Sequence, residues 1–323
     1  MRFLYNSLRQ ATTSRRSVAL WSVVAVGLGM AACQPVTEES GNARDRPTVV
    51  VTSTILTDLA ATVSGDAVTV RGIVPPGDDP HLYEPVPQDT LALEQADLIL
   101  YNGYNLEPNL IRLIEGAGIQ AETLAVGEVV EPLAFEDSGQ TQPDPHVWGD
   151  VDNAIAIVAA IRDALIALSP QDADTFTQNA DALIAELTQL DRWILDQIET
   201  IPPKQRTLVT THDAFQYYAN AYGLTVLGTL IGISTEEQPS AQTVSQLVQA
   251  IRTAGVPTIF AETTINPALI TTMAQEANVV LAPQALYSDS LGALGSGAET
   301  YVTMMVSNTQ TIVEGLAGTY TPF

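Results

Sequence analysis

Ser169-Pro170-Gln171-Asp172 opens a stretch that reads SPQDADTFTQNADALIAELTQLDRWILDQIETIPP from residue 169 to residue 203. It predicts one helix from about Pro170 to Glu199. Ser169 can cap, Pro170 suits a first turn, an acid follows three residues after the serine, and Pro202-Pro203 stops the pattern. Thirty residues rising 1.5 Å each make roughly 45 Å of helix, long for a globular domain and able to join two lobes. On both sides of it, short β-branched runs alternate with helical patterns. Before it, residues 48–53, 68–73 and 98–101 read as strands, and 55–63, 90–96, 106–115 and 151–168 as helices. Residues 127–144 read as an irregular acidic loop. After it, strands are expected at 207–211, 224–231, 257–261 and 279–281, with helices at 214–222, 244–254, 267–277 and 299–316. Such alternation implies parallel βαβ units. The expected fold is α/β: two parallel-sheet βα lobes, residues 47–168 and 201–323, joined by one long rigid helix over 169–200. A single helix resists hinge bending, so any response to a ligand should be local to loops.

The chain has 323 residues, 46% hydrophobic and 15% charged, enough apolar content for a sizeable core. Acids outnumber bases 37 to 13, for a net charge of −24. No basic footprint for nucleic acid is visible, whereas a cationic ligand is compatible with this charge. Cys33 is the single cysteine, which excludes an internal disulfide and a multi-cysteine zinc site.

Arg2, Arg9, Arg15 and Arg16 precede an uncharged, mostly apolar run over residues 18–32 that is shorter than the ~20 residues of a membrane-spanning helix. The run ends in Met30-Ala31-Ala32, small residues suited to cleavage, and Cys33 follows at once. This arrangement resembles a bacterial lipoprotein signal, with methionine where leucine is usual. It implies removal of residues 1–32, lipidation of Cys33, and a polar flexible tether over residues 33–46. Ser14-Arg15-Arg16 faintly resembles a twin-arginine signal, so the export route stays open. Without residues 1–32 the chain keeps 9 basic and 37 acidic residues, net −28.

The three histidines, His81, His146 and His212, each fall in a loop after an expected strand. Ligands of open α/β sheets bind beyond the carboxyl ends of strands, so all three lie on the expected side. A lone histidine is usually a hydrogen-bonded or surface residue. Two Asp-Pro-His tripeptides among three histidines are harder to dismiss, and neutral imidazole suits first-row transition metals.

Several segments together resemble the cluster A-I solute-binding proteins of ABC transporters for zinc, manganese or iron. They are Asp78-Asp79-Pro80-His81-Leu82-Tyr83-Glu84-Pro85, Asp144-Pro145-His146-Val147-Trp148, Thr211-His212-Asp213-Ala214-Phe215-Gln216-Tyr217-Tyr218, Ile233-Ser234-Thr235-Glu236-Glu237-Gln238-Pro239-Ser240, Phe260-Ala261-Glu262 and Leu286-Tyr287-Ser288-Asp289-Ser290-Leu291-Gly292. They run in family order over nearly all of the chain after Cys33. The resemblance implies a metal site between the lobes with four ligands, His81, His146, His212 and Asp289. It implies further carboxylates that orient the rings, for which Glu84, Asp144, Asp213 and Glu262 are candidates. The cargo would be one divalent ion, Zn2+ or Mn2+, with Fe2+ also compatible. His212 stands where manganese-selective relatives often carry glutamate, which favours zinc. The histidine-rich loop of many zinc-selective relatives is absent between Glu84 and Pro145, which does not.

The resemblance implies a monomeric receptor, lipid-anchored through Cys33 on the periplasmic or cell-surface side of a bacterial membrane. Its partners would be a permease and that permease's ATPase. An enzyme is disfavoured: a fourth protein ligand closes a zinc site that catalysis would leave open to water, and neither Gly-x-Ser-x-Gly nor His-Glu-x-x-His occurs. A metal-binding adhesin or sensor on the same fold is the alternative. Three histidines of ordinary pKa would make metal affinity fall with a limiting slope of three in acid.

Overall fold

The computed structural model describes residues 46–116, 118–137 and 140–323. The leader, Cys33 and nearly all of the tether lie outside the described residues. The first lobe holds β1 (Thr48–Val51), α1 (Thr54–Ser64), β2 (Thr69–Gly72), α2 (Pro87–Glu94), β3 (Leu98–Tyr101), α3 (Pro108–Gly116) and β4 (Glu122–Ala125). Its sheet is parallel throughout, in the order β2-β1-β3-β4. Val49, Val50 and Val51 of β1 are all fully buried. Val49 and Val51 face the core beneath α1, while Val50 faces Leu93, Ile99 and Leu110 on the other side. A central strand covered on both faces has no polar alternation, and that is why TVVV reads as an unbroken apolar run.

An antiparallel hairpin of β5 (Ala134–Asp137) and β6 (Gln140–Pro143) follows, then α4 (Val151–Leu168) and α5 (Ala173–Glu199). The second lobe holds β7 (Thr207–Thr210), α6 (Gln216–Tyr222), β8 (Thr225–Thr229), α7 (Ala241–Ala254), β9 (Thr258–Ile259), α8 (Ala268–Ala277), β10 (Val280–Leu281) and α9 (Tyr301–Gly315). Two parallel ladders, β7 with β8 and β9 with β10, meet where Phe260 N–H donates to Val209 O at 2.9 Å. The resulting order, β8-β7-β9-β10, repeats that of the first lobe, and in each lobe the loops after the strands reach one crevice.

The long helix differs from its expected form at the start. Residues 170–172 make a 3-10 turn, and Ser169 Oγ donates to Asp172 Oδ2 at 2.6 Å instead of capping backbone N–H groups. The α-helix proper begins at Ala173. It does not cross open space. Phe176, Ala180, Leu183, Leu187, Leu190, Ile194 and Gln197 are buried at alternating spacings of four and three. That seam packs on α1 and α4 of the first lobe and on α6 and α9 of the second. One apolar cluster therefore runs from Val49 through α5 to Leu208 and Tyr301.

Three further expectations need correction. β4 was not anticipated, because Glu122-Thr-Leu-Ala125 is half polar and sits at the sheet edge. The acidic loop of residues 127–144 contains a hairpin whose polar strands show no apolar alternation. α2 starts at Pro87, not Thr90, because proline fits the first helical turn and Asp89 Oδ2 accepts Val86 N–H at 2.8 Å.

Candidate metal centre

His81, His146, His212 and Asp289 converge, one from each of four loops, with their ligand atoms within 4.8 Å of one another. All four are buried. His81 Nε2 and His146 Nε2 are 3.2 Å apart. Asp289 Oδ1 is 3.4 Å from His146 Nε2, and Asp289 Oδ2 is 3.1 Å from His212 Nε2. Donors on a tetrahedron with bonds of about 2.0–2.1 Å stand about 3.3–3.4 Å apart, so the cluster has the dimensions of a divalent-metal site. His212 Nε2 and both oxygens of Asp289 are buried without a hydrogen-bond partner. Buried polar atoms without partners cost stability unless something else satisfies them. Here they belong to one cluster of potential ligand atoms, to which the carboxylate can offer one oxygen or two.

Backbone geometry aims the rings. In both Asp-Pro-His tripeptides the aspartate accepts the N–H of the histidine two residues on: Asp79 Oδ1 from His81 at 2.9 Å and Asp144 Oδ1 from His146 at 3.0 Å. Asp144 Oδ1 also accepts His146 Nδ1–H at 2.7 Å. Behind that loop, Asn102 Nδ2 donates to Pro145 O at 2.9 Å, and Glu107 holds Asn102 by accepting its N–H at 2.7 Å. His212 directly follows β7. Glu262, just beyond β9, accepts its backbone N–H at 2.8 Å and its Nδ1–H as well. The Asp289 loop is pinned on both flanks. Trp148 Nε1–H donates to Ser288 O at 3.0 Å, and Gly77 N–H donates to Ser290 Oγ at 2.8 Å.

Of the four carboxylates expected to orient rings, Asp144 and Glu262 hydrogen-bond one. A ring nitrogen whose partner nitrogen donates to a carboxylate is fixed in tautomer and direction. The other two do not. Glu84 is exposed and accepts from Asn109 Nδ2 at 3.3 Å. Asp213 accepts from Gln216 Nε2 at 2.8 Å. Neither is bonded to a ring among the described residues. Asp79 and Trp148 lie in the quoted segments but, like Asn102, were given no role from the sequence. The repeated Asp-Pro-His was the available signal for Asp79.

The cluster splits the histidines electrostatically. Burial, with His146 and His212 adding, pushes His81 down to about 3 against the pull of Asp289. Burial opposes protonation of His146 too, but Asp144 and Asp289 outweigh it and raise the ring to about 9. Asp289 and Glu262 likewise overcome burial to hold His212 well above its usual value. Asp289, which burial alone would raise, is held well below the carboxylate range by His212 and His146.

Residues 49–315 match the family model of ZnuA, the periplasmic zinc-uptake complex component A. The chain is 36% identical over 282 residues to the manganese-binding lipoprotein MntA of Halalkalibacterium halodurans, covering 87% of this chain and 92% of that protein. It is 31% identical over 300 residues to the manganese ABC transporter substrate-binding lipoprotein PsaA of Streptococcus pneumoniae, covering 91% and 96%. Among solved structures, the periplasmic zinc-binding protein TroA from Treponema pallidum superposes with a TM-score of 0.80 at 33% identity, covering 84% of this chain and 99% of that one.

Proposed function

We propose, on the premise that the chain belongs to the ZnuA family of periplasmic zinc-uptake components, that it is the extracytoplasmic receptor of an ABC importer. It is a binding protein and not an enzyme. It captures one divalent transition metal, Zn2+ or Mn2+, and delivers it to a membrane permease driven by a partner ATPase. His81, His146, His212 and Asp289 are its ligands. The observation that carries this reading is the set of buried polar atoms, His212 Nε2 and both oxygens of Asp289, that have no hydrogen-bond partner outside the cluster and converge with two further imidazole nitrogens. Relatives named as transporter components favour this over an adhesin or sensor.

The donor set of three imidazoles and a carboxylate accepts Zn2+, Mn2+ or Fe2+. Zn2+ binds such N/O sites more tightly than Mn2+, so availability as well as affinity decides the cargo. The protein works as a monomer on the outer face of the membrane, lipid-anchored through Cys33, with residues 33–46 as the tether. Residues 47–168 and 201–323 act as the two lobes and 169–200 as the joining segment. Asp289→Ala and His212→Ala should each abolish tight binding, because each removes half of what the second lobe contributes. Calorimetric titration with Zn2+ and Mn2+ checks this. Wild-type affinity in either variant would remove that residue from the site.

A further inference from the structure

The segment 231–239 lines a cleft with His81 and bonds Asp79, and its role is not accounted for by the ligands. It starts from β8, where Leu230 N–H and Ile231 N–H both donate to Thr211 O, at 3.0 and 2.9 Å. Thr211 immediately precedes His212. The segment then crosses to the first lobe, where Thr235 Oγ1–H donates to Asp79 Oδ2 at 2.7 Å. Asp79 Oδ1 holds the backbone of His81 at 2.9 Å. One short stretch of chain thus ties the backbone before His212 to the carboxylate behind His81. The two Asp-Pro-His copies differ on this point. Asp144 uses its Oδ1 for both the backbone and the ring of His146, whereas Asp79 turns its other oxygen to the opposite lobe.

The segment has space on both sides. A cleft of about 800 Å³ is lined by His81, Asp213, Gly232, Ile233, Ser234 and Glu237. A second cavity of about 320 Å³ is lined by Asp79, Ile231, Thr235, Gln238 and Pro239. Ile231, Ile233 and Thr235 are buried, while Glu236, Glu237 and Gln238 are exposed. Gly232 lets the chain turn close to Glu237, whose Oε2 would be 2.6 Å from a Cβ there. Other bonds between the lobes lie elsewhere, among them those of Trp148, Gly77 and Thr54 with the Asp289 loop. The strap is the wall between two cavities, and Thr235 is its hydrogen bond to the first lobe.

We propose that Thr235 and Asp79 are positioning residues for metal retention: residues 231–239 form a strap over the site, and the Thr235–Asp79 hydrogen bond is the latch that sets how fast the ion leaves. The ion departs past His81 into the larger cleft when the latch opens. This rests on the reading of the four residues as a metal site.

The test uses the full protein loaded with Zn2+, with release measured by stopped-flow mixing into excess chromogenic chelator. Association is followed separately by fast mixing with the free ion. Thr235→Val keeps the shape and removes only the hydroxyl, and Thr235→Ser restores it. Thr235→Val should release Zn2+ roughly tenfold faster, the worth of one hydrogen bond, with association unchanged, and Thr235→Ser should release at the wild-type rate. Release from Thr235→Val at the wild-type rate overturns the latch. So does a Thr235→Ser variant as fast as Thr235→Val, or a slowing of association that matches the gain in release, since either would mark general damage to the fold. A wild-type protein that binds no Zn2+ at all would overturn the metal site itself, a result distinct from all of these.

Discussion

At the scale of single residues, the buried cluster shifts its three rings in opposite directions. His146, raised to about 9, keeps a second proton at neutral pH, and Asp289 and Glu262 shift His212 in the same direction. Their Nδ1–H groups are committed to Asp144 and Glu262, so the proton that a metal displaces is the one on Nε2. His81, pushed to about 3, has none to lose. Protons compete with a divalent ion for a ring nitrogen until the pH rises past that ring's pKa. Log affinity should therefore rise with pH through neutrality, at least until His146 loses its proton near pH 9. Calorimetry in buffers of different ionisation enthalpy should count at least one proton released per Zn2+ at pH 7. Three would mean that His81 titrates as an ordinary histidine; none would mean that Asp144 fails to hold the His146 ring. The slope of three expected from composition changes because burial removes His81 from the count. The four ligand candidates were legible from their motifs. Asp79 was not, because its second oxygen meets a residue 156 positions away, and a carboxylate's use of two oxygens leaves no mark in sequence. Glu84 looked as good a ring acceptor as Asp144 until the loop turned it to solvent.

At the scale of elements, α5 is stable because its seam is buried along its whole length, not because a long helix is stiff. Leu187 is fully buried in the middle of that seam. Leu187→Ala should destabilise the metal-free protein by about 2–5 kcal/mol, read by urea unfolding, while the folded variant binds Zn2+ with unchanged affinity. A weakened Kd would show that the seam strains the site. Helix bounds were legible where both patterning and a cap were present. α4 spans Val151–Leu168 as expected, its first turn capped by Asp150, whose Oδ1 accepts Asp152 N–H at 2.9 Å. Short strands were not. β9 and β10 have two residues each, where apolar runs of five and three suggested more. Buried apolar chain continues past the last ladder bond, so composition overstates the strand. The two lobes share a strand order that no sequence period reveals, because strand order lives in pairing, and similar pairing tolerates dissimilar residues.

At the scale of the whole molecule, the two lobes are joined by more than a linker. The core is continuous across them. Side chains also clamp it at several points. Tyr301 N–H donates to Asp58 Oδ2 at 2.8 Å, Tyr301 OH to Trp148 O at 2.7 Å, and Tyr217 OH to Asp144 O at 2.8 Å. Swinging the lobes apart would expose that core and break those bonds together. The shared core argues against hinge closure of the kind that two strand linkers permit, and the expected response to metal is local to the loops and residues 231–239. Small-angle scattering of the metal-free and Zn2+-loaded protein should give superposable curves with the same radius of gyration. Hydrogen exchange should slow on loading in the loops around His81, His146, His212 and Asp289 and in residues 231–239, and stay unchanged along α5. A clear contraction on adding Zn2+, or faster exchange along α5 in the metal-free state, would mean that the shared core opens and that the helix acts as a hinge after all.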